Sequence, residues 1–148
     1  MGPIQNYMTE EHRNCDSTYA YLEEAILEDD PKGAKDYSKK LSAELNTHLK
    51  REEDVLFPAF EKVTGSEMGP TQMMRMEHTQ IRDLLKKIDM AVDSGLTKDS
   101  KKNLIGLLET LMILLQQHNM KEEQILYPMT EDALGDKCDE VLASMKQV

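Results

Sequence analysis

The stretch His118-Asn-Met-Lys-Glu122-Glu123-Gln-Ile-Leu126-Tyr127-Pro128 decides the fold, because the chain writes it twice. Its earlier form is His48-Leu-Lys-Arg-Glu52-Glu53-Asp-Val-Leu56-Phe57-Pro58, at an offset of 70 residues. Ahead of each copy stands a second matching segment. Met8-Thr-Glu-Glu11-His12 returns as Met74-Arg-Met-Glu77-His78, at an offset of 66. The chain thus reads as two copies of one unit, and its only four histidines are the fixed points of the repeat.

Working outward, the apolar residues around these segments recur in steps of three and four, the period of an amphipathic helix. A first helix begins near Pro3, ends before Asp30-Pro31-Lys32-Gly33, and carries Met8, His12, Cys15, Tyr19, Leu22 and Ile26 on one stripe. A second runs to about Phe57 or beyond with Leu41, Leu45, His48, Glu52, Val55 and Ala59, and Pro58 should end or kink it. After a loop holding Gly65, Ser66 and Gly69, a third runs from about Pro70 to Ser94-Gly95 with Met74, His78, Ile81, Leu85, Ile88 and Val92. The fourth starts after Thr97, a plausible N-cap, with Leu104, Leu108, Leu111, Leu115, His118, Glu122 and Ile125, and Pro128 marks its end or a kink.

Four long segments with short connections within each pair predict an all-α chain, an antiparallel up-down-up-down four-helix bundle with a short C-terminal helix. One domain over 1–148 is expected, with pseudo-repeats at about 4–62 and 70–130 and a capping helix at about 136–146 that carries Val141, Leu142 and Met145. Axial levels agree. At roughly 1.5 Å per residue, His12 and His48 lie some 24–29 Å from the Pro31 turn, and His78 and His118 about 26–32 Å from the Gly95 turn. One layer of the bundle can therefore hold all four.

His12, His48, Glu52, His78, His118 and Glu122 all fall inside the apolar stripes. Burying carboxylates among Leu and Ile is costly unless a cation or hydrogen bonds compensate. HxxxE on a helix sets an imidazole and a carboxylate one turn apart on one face, and the chain supplies that pair twice. Imidazole with carboxylate and no thiolate suits iron or manganese, and leaves zinc open. Two carboxylates able to bridge favour two ions over one. No histidine has Glu three residues before it, which sets aside the Glu-x-x-His pattern of ferritin-like bundles.

The remaining residues have plainer expected roles. Glu53 and Glu123 read as exposed flank positions, Glu11 and Glu77 as groups that orient imidazoles, and Phe57 and Tyr127 as plugs of the bundle end. Tyr19, Met8 and Met74 read as core packing. The formal charge of −10 argues against a phosphate-binding surface. No stretch resembles a membrane span or signal peptide, and Cys15 and Cys138 match no metal or redox spacing, so a cytoplasmic protein with free thiols is expected. Eleven methionines and no tryptophan suggest adaptable core filler.

The order His12, His48-x3-Glu52, Glu77-His78, His118-x3-Glu122, with LFP and LYP after the two HxxxEE segments, resembles the hemerythrin-like (HHE cation-binding) family over about residues 4–130. That resemblance implies two non-haem iron ions with carboxylate and oxo bridges. The four histidines would be terminal ligands, and Glu52 and Glu122 the bridging carboxylates. Oxygen-carrying members have a fifth histidine, in an HxxxH pair on the third helix. Here the flanking positions are Met74 and Arg82. Those carriers also use HxxxxD where this chain has HxxxE, and both differences speak against reversible O2 carriage. Asp16, one turn after His12, is a candidate substitute for the missing ligand.

The function this implies is binding or sensing of a small oxidant, O2, NO or peroxide, at a bundle-core site. An iron-centre repair or redox enzyme, or an iron-handling protein, is the alternative; single-domain relatives resemble such proteins, although the cysteine-bearing N-terminal domain typical of them is not expected here. A metal-dependent structural interaction module is the third reading. No nucleic acid or membrane partner is expected, and the sequence names no protein or redox partner.

Overall fold

Proline stands at the first position of three of the four long helices, where its missing N–H is one of the donors a helix start leaves free anyway. The computed structural model describes residues 2–148. Helix α1 spans Pro3–Leu27, α2 spans Pro31–Arg51, α4 spans Pro70–Asp93 and α5 spans Lys98–Lys121. Asp30 caps α2 by accepting from the Gly33 N–H at 2.9 Å. Thr97 and Ser100 cap α5 reciprocally, side chain to backbone in both directions. Between α4 and α5 the chain reverses at Gly95, whose φ of 95° lies in the left-handed region that glycine enters without strain.

The second and fourth helices do not end at their prolines. Glu52–Leu56 and Glu122–Leu126 each form one π turn, after which α3 (Phe57–Thr64) and α6 (Tyr127–Leu134) continue. Proline cannot donate to the carbonyl four residues back, and its ring would collide with it. Widening the turn removes both problems. Phe57 N–H reaches back five residues to the Glu52 carbonyl, and Tyr127 N–H reaches the Glu122 carbonyl in the same way.

One extra residue per turn also re-phases everything beyond it. A uniform period puts Val55, Ala59 and Ile125 inward. Instead Leu56, Phe57, Phe60, Leu126 and Tyr127 are buried, while Ile125 is 55% exposed and Val55 and Ala59 only flank the core. The expected stripes are therefore correct as far as Glu52 and Glu122 and slip by one position after them.

Helices α1 and α2 pack together, as do α4 and α5, and contacts of α2 with α4 and of α1 with α5 close the bundle. No strand forms among the described residues. Two apolar clusters fill the interior. The larger runs from Cys15 and Leu22 through Leu41, Ile81 and Leu85 to Leu108 and Leu115. The smaller, at the other end, joins Ile4, Met8, Leu56, Phe57, Met74, Leu126 and Tyr127 to Leu134, Cys138, Leu142 and Met145. Its last three residues come from α7 (Cys138–Lys146), which a 3₁₀ turn at Gly135–Lys137 joins to α6. Each fully buried Leu or Ile contributes about 1.5–3 kcal/mol, so these clusters carry the bundle. The polar histidine layer lies between them.

The methionines divide. Met8, Met74 and Met145 are core, but Met68, Met73, Met76, Met90, Met120 and Met129 are exposed. Most of the exposed ones occupy outward helical positions, where an unbranched side chain favours the helix without needing a packing partner. The expectation of core filler holds for the minority. Cys15 and Cys138 are free, buried, and sit in different clusters. Among the described residues no helix is long and apolar enough to cross a membrane.

Candidate metal centre

Each helix that meets the polar layer contributes by its phase. His12 and His78 project from the middle of α1 and the first half of α4; His48 and His118 come from the last turn of α2 and α5, with Glu52 and Glu122 at the first position of the π turns. All six side chains are buried, the two glutamates completely. His12 Nε2 lies 3.1 Å from His48 Nε2 and 3.0 Å from Glu122 Oε1. His78 Nε2 lies 3.2 Å from Glu52 Oε1, and His118 Nε2 lies 3.2 Å from Glu122 Oε2. The six predicted residues are thus brought together.

They form two donor groups, Glu52–His78–His118–Glu122 and His12–His48–Glu122, in each of which the ligating atoms lie within 4.8 Å of one another. Glu122 belongs to both and directs one oxygen to each. Four of the converging atoms, Glu52 Oε1, His78 Nε2, His118 Nε2 and Glu122 Oε2, have no hydrogen-bond partner among the described residues. Their separations are short enough for ion pairing, but their directions are wrong for hydrogen bonds. Leaving one such buried group unsatisfied costs about 1–3 kcal/mol, and more when it is charged, so four pointing at one place mark a cation site. Imidazole and carboxylate donors fit that role.

Around this layer runs a ring of carboxylates. Glu11 accepts from His48 Nδ1 at 3.0 Å and Glu77 from His118 Nδ1 at 2.7 Å, as their expected orienting role requires. Glu53 accepts from His78 Nδ1 at 2.6 Å and Glu123 from His12 Nδ1 at 2.7 Å. The expectation that Glu53 and Glu123 are plain exposed flanks is therefore corrected. In a closed bundle the flank of a stripe faces the neighbouring helix, and there a histidine meets it. An ionised carboxylate can only accept, so each Nδ1 carries a proton and each Nε2 faces inward, placed to act as a ligand. Arg51 pairs with Glu11, and Lys121 pairs with Glu77.

The charges of the layer are strongly perturbed. Burial works against a charge on His78, yet the nearby carboxylates of Glu122, Glu52 and Glu53 outweigh it and lift the imidazole to about 11. His48 and His118 are raised in the same manner, by Glu52 and Glu122 against burial. Glu52 is raised by burial and by the Glu122 charge beside it. Glu122 is held low, because His118 and the surrounding donors overcome its burial.

Tyr127 is the site residue that the sequence concealed. Its hydroxyl donates to Glu52 Oε2 at 2.8 Å or Glu122 Oε1 at 3.0 Å and lies 3.2 Å from His12 Nε2. Five residues amount to about 140° beyond a full turn on an α-helix, which would carry Tyr127 away from Glu122. The π turn brings it back over that carboxylate. Its ring stacks on His12, and at the equivalent place Phe57 stacks on His78 without a hydroxyl. The one available signal was that LYP differs from LFP by a single oxygen. Asp16 does not take the missing ligand's place. It is exposed and lines a surface cleft, outside both donor groups, and the further oxygen found inside the layer is the Tyr127 hydroxyl, held by the carboxylates. The Tyr19 hydroxyl is occupied by the Leu108 carbonyl at 2.7 Å, in keeping with a core role.

An all-α bundle that seals imidazoles and shared carboxylates between two apolar layers is a metal-binding bundle. The hemerythrin HHE cation binding domain family matches residues 4–130, and the chain belongs to that family. Among curated proteins, it is similar to the iron-sulfur cluster repair protein YtfE of Escherichia coli O81 (strain ED1a), with 31% identity over 103 residues, 66% of this chain and 47% of that protein. YtfE proteins of Escherichia coli O1:K1 / APEC and of Escherichia fergusonii match at 30% over the same shares. The chain spans about half the length of these relatives. No solved structure matches it.

Proposed function

We propose that the chain is a non-haem di-iron protein that holds two iron ions through His12, His48, Glu52, His78, His118 and Glu122 and meets a small oxidant, O2, NO or peroxide, at that centre. The observation that carries this reading is the sharing of Glu122 between two donor groups whose inward atoms lack other partners. Bound iron would supply a one-electron redox change and a coordination position for the oxidant. The chain's part is to bind, orient and exclude. The four outer carboxylates hold the imidazoles with Nε2 inward, and the Phe57 and Tyr127 rings press on His78 and His12. The two apolar clusters keep bulk water out of the layer. Tyr127 holds its proton between Glu52 and Glu122, with burial and both carboxylates raising its pKa well above the ordinary range.

A second reading, repair of damaged iron centres or handling of iron for them, is favoured by the relatives, which are named iron-sulfur cluster repair proteins. Metal analysis of anaerobically purified protein, with visible spectra before and after air, tests both. About two irons per chain support the centre. A spectrum that reverses on removing O2 supports sensing, and irreversible oxidation supports repair or redox turnover. His48→Ala and His118→Ala are each expected to lower iron content while the bundle persists. Full retention of two irons in both variants would overturn the ligand assignment.

A further inference from the structure

The repeat exposes one place where the halves differ in charge. Glu53 and Glu123 are equivalent, each accepting from the Nδ1 of a histidine in the other half. Around Glu53 the surface is closed: Arg82 donates to both carboxylate oxygens, at 2.7 and 2.9 Å, and its Nε reaches Asn46 Oδ1 at 3.2 Å. The offsets of the repeat carry Arg82 onto Asp16 and Asn46 onto Gln116. They also carry Arg75, which pairs with Glu61 and stands over Phe57, onto Thr9. Arg82 and Arg75 thus have no cationic counterpart in the other half, Arg82 being replaced by a carboxylate, while Arg13 there corresponds to Thr79.

Where Arg82 seals the first half, the second has a cleft of about 430 Å³, with Asp16, Glu123, Thr9, Gln116 and Asn119 in its lining and His12 in its wall. The Thr9 side chain is an independent sign of a ligand. Thr9, one of the residues lining this cleft, is only 6% exposed, and its buried Oγ1 has no hydrogen-bond partner among the described residues. Arg13 also lines the cleft, and its guanidinium pairs with Glu10 at 3.7 Å.

We propose that this cleft is the port through which a divalent cation, ferrous iron, reaches the buried centre, held first between Asp16 and Glu123 with Thr9 beside them. Carboxylate, hydroxyl and amide oxygens suit a partly hydrated divalent ion and hold it less firmly than the imidazoles within. Glu123 links the two stations, since the carboxylate that faces the cleft also grips His12. The port rests on the iron reading above. Uptake of ferrous iron by the metal-free chain, followed anaerobically at low salt, tests it in wild type, Asp16→Arg and Asp16→Asn. Asp83→Arg, the same charge change on the exposed face of α4, serves as control.

All four proteins should reach the same final iron content. Asp16→Arg, which restores the closed arrangement, should load about tenfold or more slowly, as loss of electrostatic focusing predicts. Asp16→Asn should be intermediate, Asp83→Arg should match wild type, and added salt should slow wild type more than Asp16→Arg. Circular dichroism confirms the fold, and if Asp16→Arg is not helical the near-isosteric Asn variant decides. Loading of both Asp16 variants at the control rate, with two irons bound, overturns the port and leaves the centre intact. Wild type that takes up no iron overturns the centre itself.

Discussion

Tyr127 gathers three polar atoms around one hydroxyl, so its removal is costlier than the loss of a surface tyrosine. In Tyr127→Phe, Glu52 Oε2 loses the donor it has at 2.8 Å. The metal-free protein is expected to lose about 1–3 kcal/mol, measured by urea denaturation, with α-helical content unchanged. An unchanged midpoint would show that the hydroxyl is not satisfying the buried carboxylates. Glu53 contributes to stability on the acid side. Burial pushes its carboxyl up, but His78 and Arg82 outweigh that and hold it at about 2, below the ordinary 4.5. The unfolded chain therefore binds the proton first, and the stability Glu53 contributes is present above about pH 4.5 and lost as pH falls towards 2. Melting of metal-free protein across that range should show the loss, and Glu53→Gln should flatten it. The six ligand candidates were legible because repetition doubled each weak signal. The site role of Tyr127 and the Glu53 and Glu123 members of the outer carboxylate ring were not, because a single stripe describes one helix's own inward face and says nothing of the neighbour at its flank.

Among the elements, the π turns decide the geometry. Each inserts one residue between a ligand-bearing helix and the aromatic plug that closes the layer. Deleting the exposed Gln124 should let the segment relax to α-helical phase and rotate Tyr127, Leu126 and Thr130 by about 100° out of their buried places. Exposing that much apolar surface is expected to cost on the order of 3 kcal/mol or more, with iron content falling in parallel. Calorimetry and metal analysis of the deletion check both; a variant with wild-type stability and two irons would show that the bulge is incidental. Helix number, order and starts were legible from proline, Thr97 and the glycines. The slip after Glu52 and Glu122 was not, because a constant period was carried through a turn that widens ahead of the proline.

At the scale of the whole molecule, the polar layer is clamped by four helices and buried between two apolar clusters, so metal and fold are coupled. An ion bound at a hundredfold over its Kd adds about 2.7 kcal/mol, equivalent to roughly 5–10 °C in a chain of this size. Chelation should lower the melting temperature by about that much and increase protease sensitivity. Identical melting curves for loaded and stripped protein would show that the ions hold nothing together.

The sharing of Glu122 reaches further than binding. His12 and His48, both from the first half, take their carboxylate and their phenol from the second, while His78 and His118, from the second, draw Glu52 from the first. Neither half encloses a complete set of donors. If the chain arose by duplication, its single-hairpin ancestor could have assembled such a centre only by pairing with its twin, each copy lending its acid to the other's imidazoles. Fusion then turned an encounter between two molecules into a property of one, and freed the two halves to diverge at Phe57 and Tyr127, and at Arg82 and Asp16.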